Sequence, residues 1–388
     1  MKWTNYRLGD LIEIKHGYAF SGTYITQEDN GIVLVTPGNF RIGGGFQEEK
    51  CKFFNGDVPE EYILRPGDLI VTMTDLSKNT DTLGYSALVP KSSRTYLHNQ
   101  RIGLVKMKTD CVDYKFLYWL MRTHTYQRTI ANSATGATVK HTSPTKIYEY
   151  QFNAPEKNVQ KKIAGILSAY DDLIENNQKQ IKLLEEAAMR LYKEWFVKLR
   201  FPGYENSKIV DGVPEGWRLG RVSELAEFKR GKTITKKNAK DGNVPVVAGG
   251  LEPAYFHNVA NTVAPVITIS ASGANAGYTR LYNTDIWASD CSYIDASYGD
   301  KLYFIYTFLK NNKEVIDNLQ RGAAQPHVYA KDINALSTYI PESTIMEPFC
   351  NLVAPLFKKI AVQERLISEL KQARDKLLPK LMSGEIEV

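Results

Sequence analysis

At 388 residues, with 43% hydrophobic and 24% charged side chains, the chain has a globular composition, which excludes extended disorder and collagen-like repeats. The length suits two or three domains at roughly 100–200 residues each. A formal charge of +6, from 49 basic and 43 acidic residues, permits a nucleic-acid partner without demanding one.

The opening stretch, MKWTNYRLGDLIEIKHG, is charged early and lacks an apolar signal core. No apolar run approaches the roughly 18 residues of a membrane span, so a soluble, cytoplasmic chain with no membrane partner is expected. Ile32–Val35, Asp68–Thr72 and Arg101–Lys106 read as short strands, and Tyr114–Arg122 as a buried helix. Leu302–Leu309 is the counterpart of that helix later in the chain. Gly43–Gly45 and Gly249-Gly250 mark loops. Cys51, Cys111, Cys291 and Cys350 lie far apart without metal-ligand spacing, so buried free thiols are expected.

An internal repeat organises the chain. RLGDLIEIKHG (Arg7 to Gly17) returns at an offset of 214 as RVSELAEFKRG (Arg221 to Gly231). A second register, at an offset of 186, pairs Gly136 with Gly322, His141 with His327, Ile147 with Ile333 and Pro155-Glu156 with Pro341-Glu342. The offset falls by 214 − 186 = 28, so the first copy carries about 28 more residues between the two blocks. One mixed α/β module is used twice, with shared ends and divergent middles.

Each copy ends in a heptad-like apolar seam. In the first it runs Ile163, Ile166, Tyr170, Leu173, Ile181, Leu184, Ala188, Leu191 and Trp195, interrupted by polar Asn177. In the second it runs Phe349, Leu352, Leu356, Ile360, Ile367, Leu370 and Leu377, with Pro355 and Pro379 expected to kink or divide the helix. About 40 helical residues would reach about 60 Å. Mutual antiparallel pairing of the two helices is the preferred reading, and two independent helices packed on their own domains the alternative.

Enzyme signatures do not assemble. RGKT at Arg230–Thr233 resembles the end of a phosphate loop, but Ala226 stands where the first glycine belongs. The Asn/Asp-Pro-Pro-aromatic pattern of adenine methyltransferases and a glycine-rich dinucleotide turn are both missing from the sequence. Glu13-Ile14-Lys15 and Glu227-Phe228-Lys229 fit half of a metal-dependent nuclease core, but their recurrence at equivalent positions suits a structural strand better. His141 and His327 recur after the Gly-Ala loop, where a hydrogen-bonded loop histidine is the default. No catalytic or metal-ligating residue and no cofactor are therefore assigned to this chain.

Local charge is more telling. Arg221 to Lys240 holds seven basic residues against Glu224 and Glu227, a net +5 in twenty residues. Such a cluster can displace counterions condensed on DNA. Lys91 to Arg101 is a looser polar-basic stretch, and Thr72–Thr82, Asn132–Lys146, Ser270–Arg280 and Gln320–Lys331 are polar loops rich in residue types that read base edges. By residue type and loop position the candidate DNA contacts are Thr74, Ser77, Lys78, Asn79, Arg94, Lys140, Lys232, Lys236, Lys237, Ser272, Asn275, Arg280 and Gln325. A merely solvated basic surface is the competing reading.

The stretch QKKIAGILSAYDDLIENNQKQIKLLEEAAMRLYKEWFVKLRFPGYE (Gln160 to Glu205) resembles the central region of the specificity subunits of type I restriction-modification enzymes. DGVPEGWRLGRVSELAEFKRG (Asp211 to Gly231) is similar to the opening of their second target-recognition domain, and KLLPKLMSGEIEV (Lys376 to Val388) to their usual end. The resemblance implies an α/β (α+β) fold of two similar target-recognition domains separated by a long antiparallel coiled coil, with pseudo-twofold repetition. The expected division is a first such domain at 1–154, a central ruler helix at 155–200, a second domain at 201–340 and a C-terminal ruler helix at 341–388. It also implies a non-catalytic subunit that reads a bipartite, asymmetric site on double-stranded DNA, with half-sites about 34 Å apart. Two methyltransferase (M) subunits and restriction (R) subunits would be its partners, carrying S-adenosylmethionine, ATP and Mg. A type IIB or IIG-like system served by a similar subunit and a non-DNA coiled-coil scaffold are the alternatives.

Overall fold

The computed structural model describes residues 2–77, 79–210, 212–322 and 326–388. They fall into two compact units, Met1–Ile174 with Ser368–Val388, and Glu175–Ile367.

The first unit holds an antiparallel four-stranded sheet in the order Ile12–His16, Ile102–Met107, Leu69–Thr72, Ser86–Leu88. A five-stranded sheet runs Ile25–Thr26, Lys52–Phe54, Ile32–Val35, Thr95–His98, Ile63–Leu64, and its pair Ile32–Val35 and Thr95–His98 is parallel. The three expected strands thus form within a residue of their expected ends. The helix Tyr114–Leu120 starts at Asp113, whose carboxylate accepts from the Lys115 and Phe116 N–H groups. Its body buries Phe116, Leu117 and Trp119 against Leu8, Ile12, Leu69 and Val71. Each such side chain contributes roughly 1.5–3 kcal/mol by leaving water.

The second unit repeats this plan. Lys229–Arg230, Cys291–Ile294, Val266–Ser270 and Thr279–Tyr282 form a four-stranded sheet in the corresponding order. Tyr255–His257, Val244–Val247 and Trp287–Ala288 form the second sheet, again with a parallel pair, Val244–Val247 beside Trp287–Ala288. Among the described residues Ile25–Thr26 and Ile63–Leu64 have no counterpart, which is where part of the extra length of the first copy goes. The repeat extends to single bonds. Tyr148 Oη accepts from the Ile14 N–H at 2.8 Å, and Asn334 Oδ1, 186 residues later, accepts from the Phe228 N–H at 2.8 Å. Gly17 and Gly231 each lie so close to a neighbouring strand that an added Cβ would stand 2.3 Å from the carbonyl oxygen of Asn99 or Ser289.

Two long helices, Lys157–Tyr192 and Ser343–Ser383, each contribute residues to both units. The first ends in a π turn at Lys193–Val197. In the first unit Ile163, Ala164 and Leu167 share a core with Leu378, Leu381 and Met382. In the second, Ala188, Tyr192 and Trp195 share one with Phe349, Val353 and Phe357. Within each unit the pairing is antiparallel.

Three expectations are corrected. Ile166 and Leu352, equivalent positions of the two seams, are 37% and 52% exposed, and Leu173 is exposed as well. The buried stripe runs instead through Ile163, Leu167, Tyr170, Ile174, Asn177, Ile181, Leu184 and Ala188, an unbroken four-three alternation with Asn177 inside it. The globular parts select this face. Trp119 Nε1 donates to Ser168 Oγ at 3.1 Å, and the Tyr303 ring stacks on Phe357 at 4.9 Å. Second, the helix Ser343–Ser383 passes through Pro355 and Pro379 undivided. A proline costs a helix about 3 kcal/mol. Burial of Val353, Ala354 and Phe357 around one proline, and of Leu378 and Leu381 around the other, exceeds that cost at roughly 1.5–3 kcal/mol per large side chain. Third, Cys291 and Cys350 are buried thiols, but Cys51 is half-buried and Cys111 exposed.

Candidate nucleic-acid interface

In each unit the four-stranded sheet sends its loops out at one end. In the first, His16, Arg101 and the loop after Thr72 emerge together, because His16 is paired with Gly103, Ile102 with Thr72, and the Met73 N–H with the Arg101 carbonyl. A short pairing of Thr74–Asp75 with Lys140–His141 adds the Gly136 hairpin to this end. In the second unit the same construction brings Arg230, Asp290, Ser272 and His327 to the corresponding end.

The loop that follows Thr74 is built around Asp75. Its buried carboxylate accepts from the Ser77 N–H at 2.6 Å, the Thr82 N–H at 2.6 Å, the Thr82 hydroxyl at 2.7 Å and the Leu83 N–H at 3.0 Å. Burial alone would raise the Asp75 pKa, but the Ser77 and Thr82 N–H groups outweigh it and hold the carboxyl below its ordinary value. Thr80 takes a left-handed φ of 60°, and Gln127 Nε2 fixes its carbonyl at 2.8 Å. Ser77, Thr80, Thr82 and Leu83 are therefore held in place without any ligand, with Leu76 and Asn79 exposed beside them.

The candidates separate accordingly. Thr74 is buried at the base, with Oγ1 3.4 Å from His141 Nδ1, while Ser77 Oγ accepts from the Asp81 N–H at 2.9 Å. Asn79 is exposed and Lys140 half-buried in the paired strand. Lys78 and Gln325 lie outside the described residues. Arg94 is not gathered here. It stands before the strand Thr95–His98, at the end away from His98, ion-paired with Asp29 and with Glu48 at 3.2 Å.

In the second unit, Ser272 Oγ donates to Asp290, which also takes Arg230 at 3.1 Å. Asn275 is half-buried in the following turn. Lys232, Lys236 and Lys237 are exposed in the segment after Gly231, and among the described residues none of the three is ion-paired. Arg280 faces elsewhere. Its guanidinium donates to the Leu251 carbonyl at 2.6 Å, lies 4.8 Å over the Tyr282 ring and lines a separate hollow of about 340 Å³ with Glu185, Tyr306, Lys310 and Glu364. Asp75, Asp290 and Arg230 were not among the candidates. The signal for Asp75 was present, an Asp followed closely by small hydroxyl residues that its carboxylate can bind. Among the described residues no cluster of three or more metal-ligating side chains forms, and no helix is long and apolar enough to cross a membrane.

A twice-used α/β unit presenting loops at one sheet end, with paired long helices, defines a modular recognition protein. The chain matches the type I restriction modification DNA specificity domain over residues 1–186 and again over 214–372. It is 30% identical over 333 residues to the specificity subunit of the type I restriction enzyme MjaIX from Methanocaldococcus jannaschii, covering 79% of this chain and 76% of that one. With the HindI specificity subunit of Haemophilus influenzae it shares 21% identity over 475 residues, covering 99% of each. Its fold is like that of the crystal structure of a type I S subunit from M. genitalium, with a TM-score of 0.61 at 18% identity, covering 98% of this chain and 96% of that one. The chain belongs to the specificity-subunit family of type I restriction-modification systems.

Proposed function

We propose that this chain reads one bipartite, asymmetric sequence on double-stranded DNA, one half with each unit, for a complex whose catalysis lies in other subunits. The observation that carries this is the recurrence of one loop cluster at the same end of the same sheet, with different side chains in the two copies. His16, Arg101 and Thr74 stand in one where Arg230, Asp290 and Ser272 stand in the other. A shared scaffold with exchanged loop residues is what two unlike half-sites require, because base edges are read by side-chain type.

The exposed cations Lys232, Lys236 and Lys237 supply phosphate attraction. The paired helices set the spacer between half-sites and offer the surface for methyltransferase and restriction subunits, which bring S-adenosylmethionine, ATP and Mg. Selection from a random-sequence duplex pool, with this chain co-expressed with a type I methyltransferase subunit, tests the reading. Two short fixed elements separated by a constant unspecified gap are expected. Recovery of unenriched sequence would support the scaffold alternative instead.

A further inference from the structure

The two segments that join the loop clusters share their closing backbone pairings and a left-handed glycine, and only a few of their side chains. Thr135 and His141 exchange hydrogen bonds of 3.0 and 2.9 Å, and Arg321 and His327, each 186 residues later, exchange two of 2.9 Å. Gly136 and Gly322 turn the chain at φ +97° and +95°, where a Cβ on Gly136 would stand 2.1 Å from the Val139 carbonyl oxygen. The glycine is thus required by the turn. Each histidine also bridges to the loop after the central strand, His141 to Thr74 and His327 to Ser272.

The histidine itself has no such structural requirement. The hairpin is closed by backbone bonds that any residue could make. His141 is exposed and its ring makes one long contact, 3.4 Å to Thr74 Oγ1. The His327 ring is half-exposed and lies parallel to Tyr329 at 5.9 Å, and among the described residues it makes no hydrogen bond. Each imidazole therefore keeps a ring N–H available to a ligand. The residues just before it are unrelated, Thr138-Val139-Lys140 in one copy and Ala324-Gln325-Pro326 in the other.

Side chains that read bases must differ between modules that read different half-sites. A side chain that stays the same should meet what every half-site has in common, the phosphodiester backbone. On the reading that each unit binds one half-site, we propose that His141 and His327 are matched, sequence-independent contacts to DNA phosphate, one per half-site. The residues preceding each histidine carry the base preference.

The test uses the full chain with a type I methyltransferase subunit and four duplexes: the selected site, the site altered in its first half, the site altered in its second half, and an unrelated sequence. H141A and H327A should each weaken binding to all four by a similar factor, on the order of ten-fold for one lost hydrogen bond to a charged group. The preference ratios and the melting temperature should stay unchanged, and H141K should restore affinity. Lys140→Ala should lower the ratio for one half-site alone. Duplexes carrying a single methylphosphonate at successive positions should reveal one phosphate per half-site whose neutralisation weakens wild type but not the matching histidine variant. A changed ratio at one half-site, a lowered melting temperature that accounts for the lost binding, or undiminished affinity in both variants would each overturn the proposal. If wild type itself showed no preference among the four duplexes, the half-site reading would fall first and this inference with it.

Discussion

Asp171 on one long helix and Arg374 on the other are ion-paired at 2.5 Å, and the second carboxylate oxygen of Asp171 holds Arg122 at 2.5 Å. Arg122 is almost fully buried, lies 4.2 Å over the Trp119 ring and donates to the Gly43 carbonyl at 3.0 Å. One carboxylate thus ties the helix pair of the first unit to its globular part. Guanidinium suits this position because it offers several donors in a plane and stays charged when buried.

Removing that carboxylate leaves Arg122 buried without its counter-charge. Asp171→Ala should destabilise the chain by about 3 kcal/mol, the scale for breaking a buried pair by deleting one partner. Burial pushes the Asp171 pKa up, but Arg122 and Arg374 outweigh it and the carboxyl titrates below its ordinary value. A folded pKa below the unfolded one gives stability that is full above the unfolded value and is lost as pH falls through the folded one. Urea unfolding at neutral pH and at about pH 3 should therefore show the gap between wild type and Asp171→Ala narrowing in acid. A constant gap would mean that packing, not charge, sets the effect.

Asp75→Asn keeps the size of the side chain but leaves one oxygen where two accepted four hydrogen bonds. The loop should loosen at a cost of about 1–3 kcal/mol locally, seen as faster amide exchange at Ser77, Thr82 and Leu83. Discrimination at the first half-site should fall while the second is read as before. Equal loss at both half-sites would show that the loop supports the whole chain rather than one reader.

Lys232→Gln, Lys236→Gln and Lys237→Gln together should weaken DNA binding and reduce the slope of log affinity against log salt by about 3, near 0.9 per lost phosphate contact. An unaltered slope would make this segment a solvated surface. Arg94→Gln is the matching control. Asp29 and Glu48 already neutralise that arginine, so the slope should not move.

Insertion of seven residues into each long helix, between Asn177 and Ile181 and at the matching position after Gln363, retains the four-three stripe. The account predicts an altered spacer in the selected sequence and unchanged half-sites. An unaltered spacer would remove the helices from the measuring role.

The repeat, the strands Ile32–Val35 and Leu69–Thr72 and the buried helix at Tyr114 were legible because each rests on local pattern. The helix register was not. Leu167 and Ile166 are equally apolar neighbours, and Trp119 and Ser168, 49 residues apart, decide which one turns inward. The candidate site divided along the same line. Lys232, Lys236 and Lys237 remain exposed, as a dense local charge implies, whereas the partners that capture Arg94 come from 65 and 46 residues away. The role of Asp75 depends on a turn that closes seven and eight residues later, at Thr82 and Leu83.

On the proposed function, two units of one chain read two halves of one site. Its most direct test is the map of methylated adenines in DNA from cells expressing this chain with a type I methyltransferase subunit. Modification should fall within a site of two fixed elements, separated by a constant number of unspecified bases. Substitutions in the Thr74–Leu83 loop should alter only one element, and substitutions in the Ser272–Tyr278 loop only the other. A single uninterrupted element, or a change in both elements from either loop, would contradict it.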